Sequence, residues 1–196
     1  MKHTKKHRIW DTIIVGAGAA GMAAAIACKN QGQKVLLIDK QSQMGRKILV
    51  TGNGKCNLTN FAQKEEYYRS DCPGRAQKVL SVFGQREAME LFQSLGIYTK
   101  DKNGYVYPYS EQAASVREAF EAGTGVTFVP EAEVRTVSEK EGLFYIGVHL
   151  LSEENVQHKK EKYYVCKSLL ITTGGLAGPK FGCDGSGYTF AKRFGH

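Results

Sequence analysis

Two segments carry residue types that handle phosphates. The first is Gly16-Ala17-Gly18-Ala19-Ala20-Gly21, with Asp39 eighteen residues past Gly21. In a G-x-G-x-x-G run the first glycine permits a sharp exit from a strand. The second leaves room for a diphosphate against the backbone, and the third lets the next helix pack close to the strand. That helix would offer its opening amides and positive dipole end to the anion. Asp39 closes the following apolar run, where a carboxylate can accept from ribose hydroxyls. NAD and FAD both present this ADP half, and these residues do not separate them. An NADP preference would want a base at position 39, though Lys40 is adjacent.

The second segment is Gly45-Arg46-Lys47-Ile48-Leu49-Val50-Thr51-Gly52-Asn53-Gly54-Lys55-Cys56-Asn57-Leu58-Thr59-Asn60. Small residues, amides, hydroxyls and three cations can wrap a phosphate and a polar heterocycle together. It is not a Walker A loop, because Leu49 stands where a glycine is required and Cys56 replaces the Ser/Thr. Cys56 reads as a small packing residue rather than a redox thiol, since a thiolate needs a depressed pKa. His149, His158 and His196 read as structural, solvated or terminal. No Ser-His-Asp set and no carboxylate pair offers a general acid or base.

The elements that would position these segments follow from periodicity. Residues 12–15 and 34–38 are short apolar strands flanking an alanine-rich helix over 22–31, with Gly32 past its end, which makes one βαβ unit. Residues 41–60 read as a loop. Helices are predicted over 75–83, 85–95 and 111–122, the last capped by Ser110. Asn103-Gly104 marks the turn of a tyrosine-rich hairpin, 98–109. Residues 126–129, 133–138, 143–150, 162–165 and 168–172 read as strands, with turns at 141–142 and 153–160. A helix over 188–194 closes the chain.

Composition narrows the class. At 196 residues and 42% apolar, the chain suits one sizeable soluble domain. The net charge is +8, and Lys2, Lys5, Lys6 and Arg8 supply four of those charges. They read as a solvated basic tail over 1–10 rather than a nucleic-acid arm. The linear sequence shows no basic stripe interleaved with aromatics, so no nucleic-acid partner is expected. The five cysteines form no CxxC pair, which suggests neither a metal site nor a disulfide framework and fits a reducing, cytoplasmic setting. The uncharged run 12–28 holds three glycines and is shorter than the ~20 residues of a membrane span, so no membrane partner is expected.

The run GRKILVTGNGKCNLTN resembles the signature of the YhiN/BaiN-type flavoproteins, also called the aminoacetone oxidase family of FAD-binding enzymes. That family reads G-R-K, a short apolar stretch, then S/T-G-x-G-R/K-C-N-x-T-N. Lys55 stands where many members have Arg. Leu95-Gly96-Ile97 with Asn103-Gly104-Tyr105-Val106-Tyr107-Pro108 is similar to a second family element, in which Tyr105 replaces the usual Arg. Thr172-Thr173-Gly174-Gly175 resembles a strand end that meets the dinucleotide, and the spacing from Pro179 to His196 follows the family. Ser186 stands where Asp is frequent.

The resemblance implies an α/β fold of the glutathione-reductase-like FAD/NAD(P)-binding type over 11–196. A parallel sheet would carry helices on one face and a three-stranded β-meander, about 133–165, on the other. FAD is the implied cofactor, and NAD(P)H or an organic substrate the hydride donor. Arg46 and Lys47 would face the diphosphate or flavin. Thr51, Gly52, Asn53, Gly54 and Asn57 would border the isoalloxazine, and the backbone near Val134 would meet the adenine. Relatives are associated with reduction of conjugated enones in bile-acid-type substrates and with amine oxidation. Members continue past Gly195-His196 with a substrate domain and a C-terminal flavin contact. The expectation is therefore an N-terminal part that holds FAD weakly and needs a missing C-terminal half or partner chain. Two alternatives stay open: an NAD-dependent dehydrogenase module and a non-catalytic dinucleotide-binding fragment.

Overall fold

The structure, a computed structural model, describes residues 8–151 and 161–196. The basic stretch over 1–7 and nearly all of the turn at 153–160, with His158, lie outside the described residues. The chain forms two compact units. One holds the described residues up to Lys47 and from Glu121 onward; the other is Ile48–Phe120.

In the first unit, β1 (Ile9–Val15), α1 (Ala19–Asn30) and β2 (Val35–Ile38) form the βαβ element. The sheet also contains β6 (Thr127–Val129), β7 (Ala132–Lys140), β8 (Leu143–Leu150) and β9 (Lys162–Ile171), in the order β6-β2-β1-β9-β8-β7. β1 runs parallel to β2 and to β9, and β2 parallel to β6. β7, β8 and β9 are an antiparallel meander. One strand serves both parts: Lys162–Cys166 of β9 pairs with β8, and Val165–Ile171 pairs with β1. Sequence reading divides this strand in two around Lys167. The strand continues because β1 pairs with it on both sides of Lys167, Trp10 with Cys166 and Thr12 with Ser168, while the Lys167 side chain reaches into solvent and its Nζ meets Asp11 Oδ1 at 2.7 Å.

The meander covers one face of the parallel strands. Ile13 and Val15 lie in register with Leu36 and Ile38. These four side chains pack with Val134, Val137, Ile146 and Val148 of the meander and with Phe190 of α5 (Ser186–Arg193). The helix α1 packs on β1 and β2 and buries Met22, Ala25 and Ile26. Strands buried on both faces must be apolar throughout, as Val35-Leu36-Leu37-Ile38 is.

The second unit contains β3 (Thr59–Asn60), α2 (Arg75–Leu80), α3 (Gln85–Ser94), β4 (Thr99–Lys102), β5 (Tyr105–Pro108) and most of α4 (Ala113–Thr124). Its sheet is antiparallel in the order β3-β5-β4. Asn103 and Gly104 both take left-handed angles, φ 54° and 88°, as a two-residue hairpin turn demands. The helix α4 starts two residues later than its pattern predicts, because Glu111 is itself left-handed at φ 54°. Ser110 Oγ still accepts from the Gln112 amide, at 3.3 Å.

Ile146 is fully buried where meander and parallel strands meet. Ile146→Ala should cost about 2–5 kcal/mol of stability in denaturant unfolding, through lost burial and the cavity left behind.

Candidate dinucleotide-binding site

The three glycines of the turn are distinguished by what surrounds them. Gly16 has φ +105°, and a Cβ there would lie 2.6 Å from the Thr172 carbonyl oxygen. A Cβ on Gly21 would lie 1.9 Å from the Gly16 carbonyl oxygen. At Gly18 nothing stands within 4 Å of that position. Close packing therefore requires the outer two glycines, and the middle one faces open space. Gly18 is the extended N-cap of α1, and Met22 donates to its carbonyl at 2.9 Å. The preceding amides of Ala19, Ala20 and Gly21 belong to the helix's first turn and have no intrahelical acceptor. Ala19 and Ala20 are exposed, and the turn has no acidic side chain to compete for an anion.

Asp39 is tied to this turn. Its Oδ2 accepts from the Ala17 amide at 2.6 Å and its Oδ1 from the Gln41 amide at 2.8 Å. Each oxygen keeps a further acceptor site for a hydroxyl. The start of the meander is brought alongside: Ala132 donates to the Asp39 carbonyl at 2.9 Å and Glu131 to that of Gln41 at 3.1 Å. Val134 follows two residues on, its side chain in the core and a β-bulge immediately after it.

The far end of β9 closes on the same turn. Thr172 Oγ1 donates to the Gly16 carbonyl at 2.7 Å, a tie that sequence reading missed among the site residues. Its signal was a hydroxyl at the strand end, just before Gly174 and Gly175. Thr173 Oγ1 is buried and has no hydrogen-bond partner. Gly187, in the first turn of α5, approaches it so closely that a Cβ there would sit 2.3 Å from this hydroxyl.

The cations expected at the phosphates are engaged around the loop before α5. Lys40 Nζ meets Asp184 Oδ2 at 2.5 Å, and this ammonium holds the Asp184 carboxyl well below the ordinary carboxylate range. Lys47 Nζ donates to the Ala177 carbonyl at 2.6 Å and lies 3.7 Å from Cys183 Sγ. Arg46 donates to Gln41 Oε1. In this state none of the three points its charge at the glycine turn without a competing partner.

Thr51, Gly52, Asn53, Gly54 and Asn57 lie in the second unit. What reads as loop is two short 3₁₀ turns within Ile48–Gly54, kinked at Thr51–Asn53. Gly52, Asn53, Gly54 and Cys56 all have positive φ. The Cys56 conformation costs on the order of 1 kcal/mol, which the surroundings must hold in place. Asn57 Nδ2 does so by donating to the Thr59 and Val106 carbonyls, both at 3.3 Å. Burial pushes the Cys56 thiol up, away from thiolate chemistry. Burial likewise takes Cys166 up to about 11.

The two roles of the glycines can be separated experimentally. Gly21→Ala should lose roughly 1–3 kcal/mol or more in unfolding experiments, by overpacking against Gly16. Gly18→Ala should change stability by less than about 0.5 kcal/mol, as an unstrained surface change does, while weakening dinucleotide binding measured by titration.

The chain is 37% identical over 185 residues to the 3-dehydro-bile acid delta(4,6)-reductase of Clostridium scindens, covering 93% of this chain and 43% of that protein. It is 33% identical over 190 residues to the ribosomal RNA dihydrouridine synthase of Escherichia coli, covering 95% and 44%. The chain thus spans less than half the length of these curated relatives. Among solved structures, Thermovibrio ammonificans THI4 superposes with TM-score 0.59 at 15% identity, covering 87% of this chain and 59% of that one. The open form of a flavocytochrome c3 fumarate reductase gives 0.58 at 19% identity, covering 86% and 34%. These superpositions show a Rossmann-like α/β fold. Residues 10–196 match the family described as HI0933-like protein Rossmann domain, and the chain belongs to that family.

Proposed function

We propose that this chain is the FAD-binding part of a flavin-dependent reductase that saturates a carbon–carbon double bond conjugated to a carbonyl. The observation that carries the cofactor reading is the open space at Gly18 between two glycines that admit no side chain, with Asp39 bonded to the adjoining Ala17 amide. A diphosphate fits that space, and the amides of Ala19, Ala20 and Gly21 are free to donate to it. The unpartnered hydroxyl of Thr173 supports the same reading, since a buried donor without an acceptor costs stability until a ligand supplies one. Asp39 would hold the ribose, and the backbone near Val134 the adenine.

In the second unit Gly52, Asn53, Gly54 and Cys56 take positive φ, and a backbone of that shape suits close approach to a planar ring. The bound isoalloxazine would supply the hydride chemistry. The chain's part is to bind, orient and shield. Among the described residues no cluster of His, Cys, Asp or Glu could hold a metal ion. No helix of the described residues is long and apolar enough to cross a membrane.

The substrate reading rests on the relatives. One is named for reducing a ring double bond in a bile acid, the other for making dihydrouridine. Both names describe saturation of a carbon–carbon bond next to a carbonyl. NAD(P)H is the proposed electron donor.

Anaerobic absorption spectra of the purified protein titrated with FAD test this. A bound-flavin band should bleach with NADH or NADPH and return on adding a conjugated enone or a uracil-containing oligonucleotide. Failure to bind added FAD at any concentration overturns the flavin reading. A bleached band that neither acceptor restores overturns the substrate reading.

A further inference from the structure

The hairpin β4–β5, expected from its Asn103-Gly104 turn, brings the lysines of one strand beside the tyrosines of the other. Its register pairs Lys100 with Tyr107 and Lys102 with Tyr105, and the Tyr109 amide donates to the Tyr98 carbonyl at 2.7 Å. Directly opposed residues of an antiparallel pair share a face. One face therefore carries three successive rungs: Tyr98 with Tyr109, Lys100 with Tyr107, and Lys102 with Tyr105. The alternate positions include Val106 and Pro108, both buried, so the hairpin packs on that side. The ladder side is open: Tyr98, Tyr109 and Tyr105 are 78%, 70% and 53% exposed.

The cations lie against the rings. Lys100 Nζ is 5.3 Å from the Tyr109 centroid, and Lys102 Nζ is 5.9 Å from that of Tyr107. One carboxylate answers the cluster: Glu111 meets Lys100, Lys102 at 2.6 Å and Lys55 at 3.3 Å. Three ammonium groups around one carboxylate leave two positive charges uncompensated. At the outer end, Tyr98 and Tyr109 line a cavity of about 560 Å3, with Ser110 and Ser115, whose hydroxyls bond each other at 2.7 Å, on its wall. At the middle rung, Gly52 abuts the edge of the Tyr107 ring, 3.4 Å from where its Cβ would be.

We propose that this face binds nucleotides, stacking unpaired bases on Tyr98, Tyr105 and Tyr109 and placing their phosphates on Lys55, Lys100 and Lys102. Stacking needs exposed rings and phosphates need cations near them; the β5 side presents a tyrosine at every rung, and β4 sets Lys100 and Lys102 opposite two of them. Glu111 occupies the phosphate position until a phosphate displaces it. A base held against the middle rung would stand beside the Gly52 loop; its relevance to flavin chemistry rests on the function proposed above, whereas binding to the ladder does not.

Fluorescence anisotropy with a labelled uridine-rich single-stranded RNA tests this on the intact chain, with free uridine monophosphate and anionic phosphatidylserine vesicles as further arms. Tyr105→Ala and Tyr109→Ala should each weaken RNA binding about tenfold, the scale of one lost stack, while Tyr105→Phe and Tyr109→Phe retain it. Glu111→Gln should tighten binding several-fold and steepen its salt dependence, since it frees three cations. Displacement of the RNA by millimolar monophosphate identifies a free nucleotide as sufficient; its failure identifies the strand. Either supports the site. Unchanged affinity in both alanine variants, or capture by vesicles that RNA does not relieve, overturns it. A flavin spectrum of each variant, read separately, shows whether the cofactor reading stands or falls on its own.

Discussion

A helix that begins hard against the end of a buried strand cannot satisfy its own first amides. Here that constraint is set by contacts of backbone on backbone. The exit at Gly16 presses on Thr172, and the first turn of α1 presses on Gly16 itself. No side chain fits at either place, so the helix end sits close to the sheet with its donors facing out. Thr172 locks the arrangement from β9, and Asp39 locks it from β2. The site follows from a packing solution that leaves one gap, at Gly18.

The βαβ element was legible because its signals are local. Glycine spacing, an all-apolar strand and an acid at its end each follow from sequence positions. The meander was legible for the same reason: alternation over β7 and β8, with Glu141-Gly142 taking the left-handed turn. Less legible was the continuity of β9. Lys167 breaks the apolar pattern without breaking the strand, because the ladder to β1 runs past it and its side chain finds Asp11, 156 residues away, at the surface. The start of α4 was misplaced for a related reason. Glu111 looks like a first-turn helix acid, yet it is held left-handed, with its carboxylate among three lysines that lower its pKa to about 2.

The same distinction divides the site. Gly16, Gly18, Gly21 and Asp39 could be assigned from spacing, because the chemistry they suit depends on backbone shape. The engagements of Lys40, Arg46 and Lys47 could not, because they depend on which loop lies opposite. Lysines and tyrosines of the hairpin interleave only after β4 folds back on β5. Read along the chain they are separate strands of mixed character; read across it they are one surface.

The central claim is that the opening amides of α1 take a diphosphate while Asp39 takes the adjoining sugar. A crystal structure of the chain soaked with FAD tests it most directly. Diphosphate oxygens about 2.7–3.2 Å from the amides at positions 19–21, with a ribose hydroxyl on Asp39, are the expected result. Full occupancy of FAD elsewhere, or no binding while Gly18 stays open to solvent, would contradict it.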